Sequence, residues 1–214
     1  MARKMVLALM VLLVSFFLPA AARAVNLPFI NEFHYDNAGT DVGEAIEIAG
    51  PAGFDLVGWS VVLYNGADGK KYNTLALNGA IPNLQNGFGA LAFAVAGIQN
   101  GAPDGMALVD SSLLVSQFLS YEGAFAAIVG PAAGMASTNI GVLETAEAPA
   151  GASLQLAGAG RQYSDFIWTS ALTNTFGAVN ANQTFTGAAV PEPMTFLLLG
   201  LGGCALSLTC KQRI

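Results

Sequence analysis

Short apolar segments separated by turn chemistry fill the middle of the chain. Residues 28–35, 44–49, 59–64, 72–77, 89–96, 106–110, 115–121, 153–156 and 165–169 are each of strand length and bounded by turn chemistry, and they read as strands. Alternation is legible within them. Ile46 and Ile48 point one way and Glu47 the other, which predicts one wet face. Trp59, Val61 and Leu63 share a face opposite Val62 and Tyr64, and Phe166 shares one with Trp168. Between the segments lie Asp36-Asn37-Ala38-Gly39, Asn65-Gly66-Ala67-Asp68-Gly69, Asn86-Gly87 and Asn100-Gly101-Ala102-Pro103-Asp104-Gly105. Asn-Gly and Asp-Gly supply the positive φ angles of tight turns. The Ala-rich stretch 123–136 reads as loop with one helical turn. Many short strands without a long amphipathic helix predict an all-β fold, a β-sandwich.

Two uninterrupted apolar runs flank this region and raise the mean hydropathy to +0.55, with only 10% of residues charged. The first follows Arg3 and Lys4, runs from Met5 to Leu18, and gives way to Pro19 and Ala20-Ala21-Ala22-Arg23-Ala24. Basic, then apolar, then Ala-x-Ala is the layout of a secretory signal peptide, here residues 1–24, with cleavage between Ala24 and Val25 and with Ala22 at the upstream small position. An uncleaved anchor is the alternative, and the small-residue triplet argues against it. The second run, Met194 to Cys210, predicts a transmembrane helix. Seventeen residues at about 1.5 Å each span roughly 25 Å, a little short of a ~30 Å bilayer core. Lys211 and Arg213 behind it belong on the cytoplasmic side, so the main domain faces outward. A small-residue linker, 187–190, joins the domain to this tail.

Val190-Pro191-Glu192-Pro193, the apolar helix and the basic end together resemble the PEP-CTERM sorting signal of Gram-negative bacteria, here residues 191–214. The resemblance implies a partner, the membrane protease exosortase, which recognises Pro-Glu-Pro and removes the helix. It also implies an exported protein that passes through the inner membrane, ends in the envelope or outside the cell, and has extracellular polysaccharide as a neighbour. Two cations, rather than a run of arginines, are this chain's departure from the pattern.

Charge and cysteine narrow the partners of the domain. Residues 25–190 hold Lys70, Lys71 and Arg161 against thirteen carboxylates. A nucleic-acid partner needs the opposite balance to displace phosphate counterions and is excluded. Both cysteines, Cys204 and Cys210, lie in the tail helix, so the domain has no disulfide and no thiolate metal site. At roughly 165 residues it is large enough to rely on its core.

Candidate chemistry concentrates in Asp36-Asn37-Ala38-Gly39-Thr40-Asp41-Val42-Gly43-Glu44. Clustered oxygen ligands on a Gly-containing loop suit a hard cation, so Asp36, Asn37, Asp41 and Glu44 form a candidate calcium site, with Glu32 as a further ligand. The spacing fails the EF-hand pattern, and a hairpin turn bonded by Asp and Asn explains the same residues. The single histidine, His34, sits in a strand, where a structural role outweighs a catalytic one. No Gly-x-Ser-x-Gly, His-Glu-x-x-His or phosphate loop is present. Glu44 and Glu47 point to opposite faces, the wrong geometry for a glycosidase pair. Trp59, Tyr64, Tyr72 and Tyr121 are candidates for a sugar-stacking platform, with core packing as the alternative.

Ile30-Asn31-Glu32-Phe33-His34-Tyr35-Asp36-Asn37, Gly43-Glu44-Ala45-Ile46-Glu47-Ile48, Leu56-Val57-Gly58-Trp59, Ser120-Tyr121-Glu122-Gly123 and Trp168 resemble the lamin-tail domain of bacterial exported proteins. That resemblance implies an immunoglobulin-like β-sandwich over residues 25–186 and leaves function open. The expectation is a non-enzymatic envelope or matrix protein without a cofactor. A calcium- or glycan-binding module at the cell surface is the alternative.

Overall fold

The computed structural model describes residues 26–187, so the expected signal segment and the sorting tail, with their helices, lie outside the described residues. Eleven strands form two sheets among these residues: β1 (Phe29–His34), β2 (Ala45–Pro51), β3 (Ser60–Asn65), β4 (Lys70–Ala76), β5 (Phe88–Ala94), β6 (Asp104–Val109), β7 (Val115–Tyr121), β8 (Thr138–Asn139), β9 (Ala152–Gly160), β10 (Phe166–Thr173) and β11 (Gln183–Phe185). The first sheet runs β10-β9-β1-β2-β5, with β11 added in parallel to the end of β9, and the second runs β4-β3-β6-β7-β8. All pairings are antiparallel except β9 with β11 and β7 with β8. No described helix is long and apolar enough to cross a membrane. The sandwich reading therefore holds, and nine of the strands coincide with the expected segments. Strands β8 and β11 are additions, too short to leave a periodic signal, and β9 runs past Leu156 through small residues to Gly160.

Strand β1 shows how the sandwich is set in register. Ile30 and Phe33 both enter the core, although a spacing of three would put them on opposite faces of a regular strand. The register shift against β2 between Ile30 and Glu32 absorbs the extra residue, Asn31, and restores the match. Beyond it Phe33 and Tyr35 point inward while Glu32 and His34 point outward. Between the sheets Tyr35 stacks on Tyr121 at 4.1 Å, and Phe33 meets Trp168 edge-on at 5.2 Å. Ile46, Ile48, Val61, Leu63, Met106, Leu108 and Leu119 complete this layer.

The central strands of each sheet are also covered on their outward face, while the edge strand β4 stays largely exposed, and this corrects the expectation of a wet face on β2. Glu47 is fully buried. On the first sheet Phe29, Ala49, Phe88, Ala90, Leu156 and Phe166 form a second apolar cluster with Phe185 of β11. On the second, Val62, Tyr64, Ala107, Val109 and Phe118 pack against Ala127 and Ala132. Those two alanines belong to the stretch expected to hold a helical turn. It is instead an irregular hairpin, bridged at Ala126 and Ala136 and closed by Ala127 N–H to Met135 O (3.0 Å) and Gly134 N–H to Ala127 O (2.8 Å). Gly130 and Gly134, at φ 75° and 82°, stop any helix after three residues. Alanine's small side chain lets the hairpin lie close to the sheet.

Both limits of the described chain lie at the same end of the sandwich. Residues 26–29 share a cleft with Ser116, Gln117 and the 3-10 turn at Tyr163–Asp165, and Ile30 N–H donates to Gln117 Oε1 at 2.8 Å. Gly187 packs against Asn86, whose Nδ2 donates to Phe185 O at 2.7 Å. Loops 52–59, 77–87 and 110–114 lie at this near end. Loops 35–44, 66–69, 95–103 and 122–151 lie at the far one.

Phe185 is fully buried, stacks on Phe88 at 5.6 Å and meets Phe166 edge-on at 5.8 Å. Phe185→Ala is expected to cost about 3–5 kcal/mol in chemical denaturation, the range for emptying a buried aromatic site. A cost below about 1 kcal/mol would mean that β11 is not part of the cooperative fold.

Candidate functional site

The outward face of β1 and β2 carries the densest buried polar chemistry. Its basis is local: alternation past the bulge puts Glu32 and His34 of β1 on the face opposite the core, and Glu47 of β2 lies directly across from Glu32 in the ladder. Two carboxylates on neighbouring strands would ordinarily seek water. Here Glu32, His34 and Glu47 are at most 1% exposed, because the segment after β10 and the loop before β9 close over them.

Every oxygen of the two strand glutamates has a donor. Glu32 Oε1 accepts from the Ser153 hydroxyl (2.6 Å), the Thr175 N–H (2.7 Å) and the Gln155 amide (3.4 Å), and Oε2 accepts from the Thr175 hydroxyl (2.7 Å). Glu47 Oε1 accepts from Asn31 Nδ2 (2.9 Å) and Oε2 from Gly177 N–H (2.6 Å). Asn180 ties the same roof down by donating to the Leu156 carbonyl (2.9 Å), and Gln183 donates to Asn31 Oδ1 (2.7 Å). No cation pairs with either glutamate among the described residues. Burial therefore pushes Glu47 up to about 8; the charge of Glu32 adds to this, while the Asn31 amide and Gly177 N–H oppose it. Burial also raises Glu32, against its hydroxyl and amide donors.

His34 is held differently. Its Nδ1 lies 2.8 Å from Glu144 Oε1 and its Nε2 lies 3.2 Å from Asn37 Oδ1. The orientation of Asn37 is set independently, since its Nδ2 donates to Ala38 O and Thr40 O while Oδ1 accepts the Val42 N–H. Both imidazole nitrogens thus face acceptors and both donate, the arrangement of the protonated ring. The Glu144 hydrogen bond accordingly raises the pKa of His34, despite burial. The other oxygen of Glu144 accepts the N–H groups of Tyr35 (2.6 Å) and Asp36 (3.0 Å). One carboxylate from the β8–β9 loop therefore anchors the end of β1.

The residues singled out in the sequence take other places. Within the 36–44 loop, Asn37 is the organiser and Asp41 Oδ1 accepts the Asn37 N–H at 3.3 Å. Glu44 turns away and clasps the N–H groups of Gly97 and Ile98, each at 2.7 Å. The four candidate calcium ligands are not brought to a common point, Glu32 lies under the other roof, and no group of three or more His, Cys, Asp or Glu able to hold a metal occurs among the described residues. The aromatic platform does not form. Tyr64 and Tyr121 are buried, Trp59 is 7% exposed, and Tyr72 is half-buried with its hydroxyl accepting the Gln99 N–H at 2.9 Å. Val190 to Pro193, Ala22, Ala24, Val25, Lys211 and Arg213 lie outside the described residues.

Sequence reasoning missed the Glu32–Glu47 pair and Glu144. The pair had a faint signal in two glutamates on strands that flank one hairpin. Glu144, in a loop more than a hundred residues from His34, had none. As chemistry, the buried face is a lock rather than a reaction centre: its acids sit where no substrate reaches them and hold distant segments of chain. Open clefts lie elsewhere, among them one of about 440 Å³ at the far end between Ala102, Glu122, Asn139 and Leu143. Comparisons with family models, with curated proteins and with solved structures find no match to this chain.

The lock has a pH signature. Glu47 goes from an ordinary 4.5 to about 8 on folding, so its protonated form is favoured in the native state. The corresponding stability is present below pH 4.5 and is lost as pH rises through 8. Glu32 and His34, both raised, act in the same direction. The midpoint of thermal unfolding is therefore expected to fall between pH 5 and 8, each group contributing at most about 1.4 kcal/mol per pH unit. Glu47→Gln should flatten that slope. A midpoint that rises across this window in the unmodified protein would contradict the assignment.

Proposed function

We propose that the chain is an exported, non-enzymatic protein of the cell envelope or extracellular matrix, sorted through Pro191-Glu192-Pro193 by an exosortase-type protease. The observation that carries this reading is the sequence of three features at the tail: Val190-Pro191-Glu192-Pro193, then the apolar run to Cys210, then Lys211 and Arg213. An N-terminal basic, apolar and Ala-x-Ala segment directs the same chain outward. We take the sandwich to be of the immunoglobulin-like, lamin-tail kind.

The fold supports the reading in two ways. The titratable groups that cluster in it are used to hold loops, which suits a stable module more than a reacting one. Residues 26 and 187, the limits of the described residues, lie at one end, which suits signal removal and tail cleavage beside each other. The surface is acidic and carries few cations, compatible with neutral or cation-bridged polysaccharide as a neighbour.

Replacing Pro191, Glu192 and Pro193 by alanine in the native host is expected to leave protein running to Ile214 in the inner membrane. The unmodified chain should end near these residues, in the envelope or medium. Intact mass with fractionation reads both. Release of the triple variant with the unmodified mass would sink the sorting assignment.

A further inference from the structure

We propose that the near end of the sandwich is a lipid-facing surface, seated on the bilayer with the hairpin tip at Leu113 and Leu114 as its anchor. This rests on reading Met194–Cys210 as a membrane segment, and it adds an orientation and a contact that the reading does not contain.

The near end presents apolar side chains on separate loops. Leu113 and Leu114 are 74% and 66% exposed, and Val57 is 63% exposed. Leu27 and Leu84 extend the set. The loops touch: a Cβ on Gly58, next to Val57, would sit 3.1 Å from the Cβ of Ser111. The two leucines are held in place by their turn. Asp110 Oδ1 accepts the N–H groups of Ser112 (2.8 Å) and Leu114 (2.9 Å), and Asp110 N–H closes the turn on Leu114 O at 2.9 Å. Leu113 itself adopts φ 66°, a left-handed conformation uncommon for a large side chain. In water nothing favours exposing two adjacent leucines on an ordered tip. At a bilayer interface their burial is favourable.

Charge separates this end from the other. The near end has Asp55, Asp110 and Asp165 with Arg161, and its three acids are engaged with turn N–H groups. The far end has Asp36, Asp41, Glu44, Asp68, Asp104, Glu122 and Glu147 against Lys70 and Lys71, with Glu144 paired to His34. Val42, Ile128, Val129 and Leu143 are exposed there as well, but among those carboxylates. An anionic lipid surface repels the far end and tolerates the near one.

Chain length then commits the occupant. Six residues, 188–193, separate Gly187 at the near end from Met194, and fully extended they reach only about 20 Å. A tether this short converts weak tip–lipid contact into an intramolecular event at high effective concentration.

The test uses the mature chain, Val25 to Ile214, with Cys204 and Cys210 replaced by serine, inserted in phosphatidylethanolamine–phosphatidylglycerol vesicles. A single cysteine, Leu113→Cys or Val129→Cys, carries an environment-sensitive fluorophore, and spin-labelled lipid is the quencher. Emission from position 113 should be blue-shifted and quenched, and emission from 129 should be neither. A reporter at Val57→Cys should lose its quenching when Leu113→Ser and Leu114→Ser are added. Flotation of the chain with vesicles but equal quenching at 113 and 129, or quenching at 129 alone, overturns the proposal and leaves the tail reading intact. Failure of the chain to float with vesicles overturns the tail reading and the proposal with it.

Discussion

Capture of buried carboxylates by distant N–H and O–H groups is the constraint on which this structure turns. Glu32 takes its donors from Ser153 and Thr175, Glu47 takes one from Gly177, and Glu144 takes His34 and the backbone of Tyr35 and Asp36. A buried carboxylate without such partners costs several kcal/mol or must carry a proton. Strand β1 lies at the centre of its sheet, so wherever its outward face goes the rest of the sheet follows. The covering segments cannot detach one at a time without leaving an unpaired acid behind. Stability and uniqueness are coupled there.

That coupling explains how a chain segment without a single cysteine remains ordered across so many loops. The central strands of each sheet are buried on both faces, and the extra cover comes from irregular chain and the short β11 rather than from helices. Such cover works only when its backbone groups find partners. In the Ala-rich hairpin the sheet supplies one: the Tyr64 hydroxyl accepts the Ala132 N–H at 3.1 Å. Small residues lower the height of the cover, and the polar contacts fix its position. Apolar burial alone would leave the register of such segments loosely specified.

The two ends of the sandwich differ in kind. One gathers acidic loops and the Glu122 and Asn139 cleft, and the other gathers the chain limits, leucine tips and few charges. On the proposed reading this polarity matches an exported module that is held at one end during processing and displays the other. The glutamate–histidine lock sits between them, under cover, and keeps the far-end loops attached to the strand from which they arise.

Much of the architecture was legible beforehand because it rests on period-two patterning and turn chemistry, both local properties. The strands from β1 to β7 were readable, as was the inward set Ile46, Ile48, Val61 and Leu63. So were two composition-level consequences: a domain without disulfides and an acidic balance. The fate of the outward faces was not legible. Glu47 reads as solvated in any local window, and Tyr64 as a residue beside an exposed turn. Whether either is wet depends on chain arriving from residues 174–185 and 124–137, about which strand periodicity says nothing. The same holds for the 36–44 loop, where the residue types suit a cation but their directions are set by His34, Gly97 and Ile98. A sequence states which groups must be satisfied; only the tertiary structure decides by whom, because the donors come from across the chain.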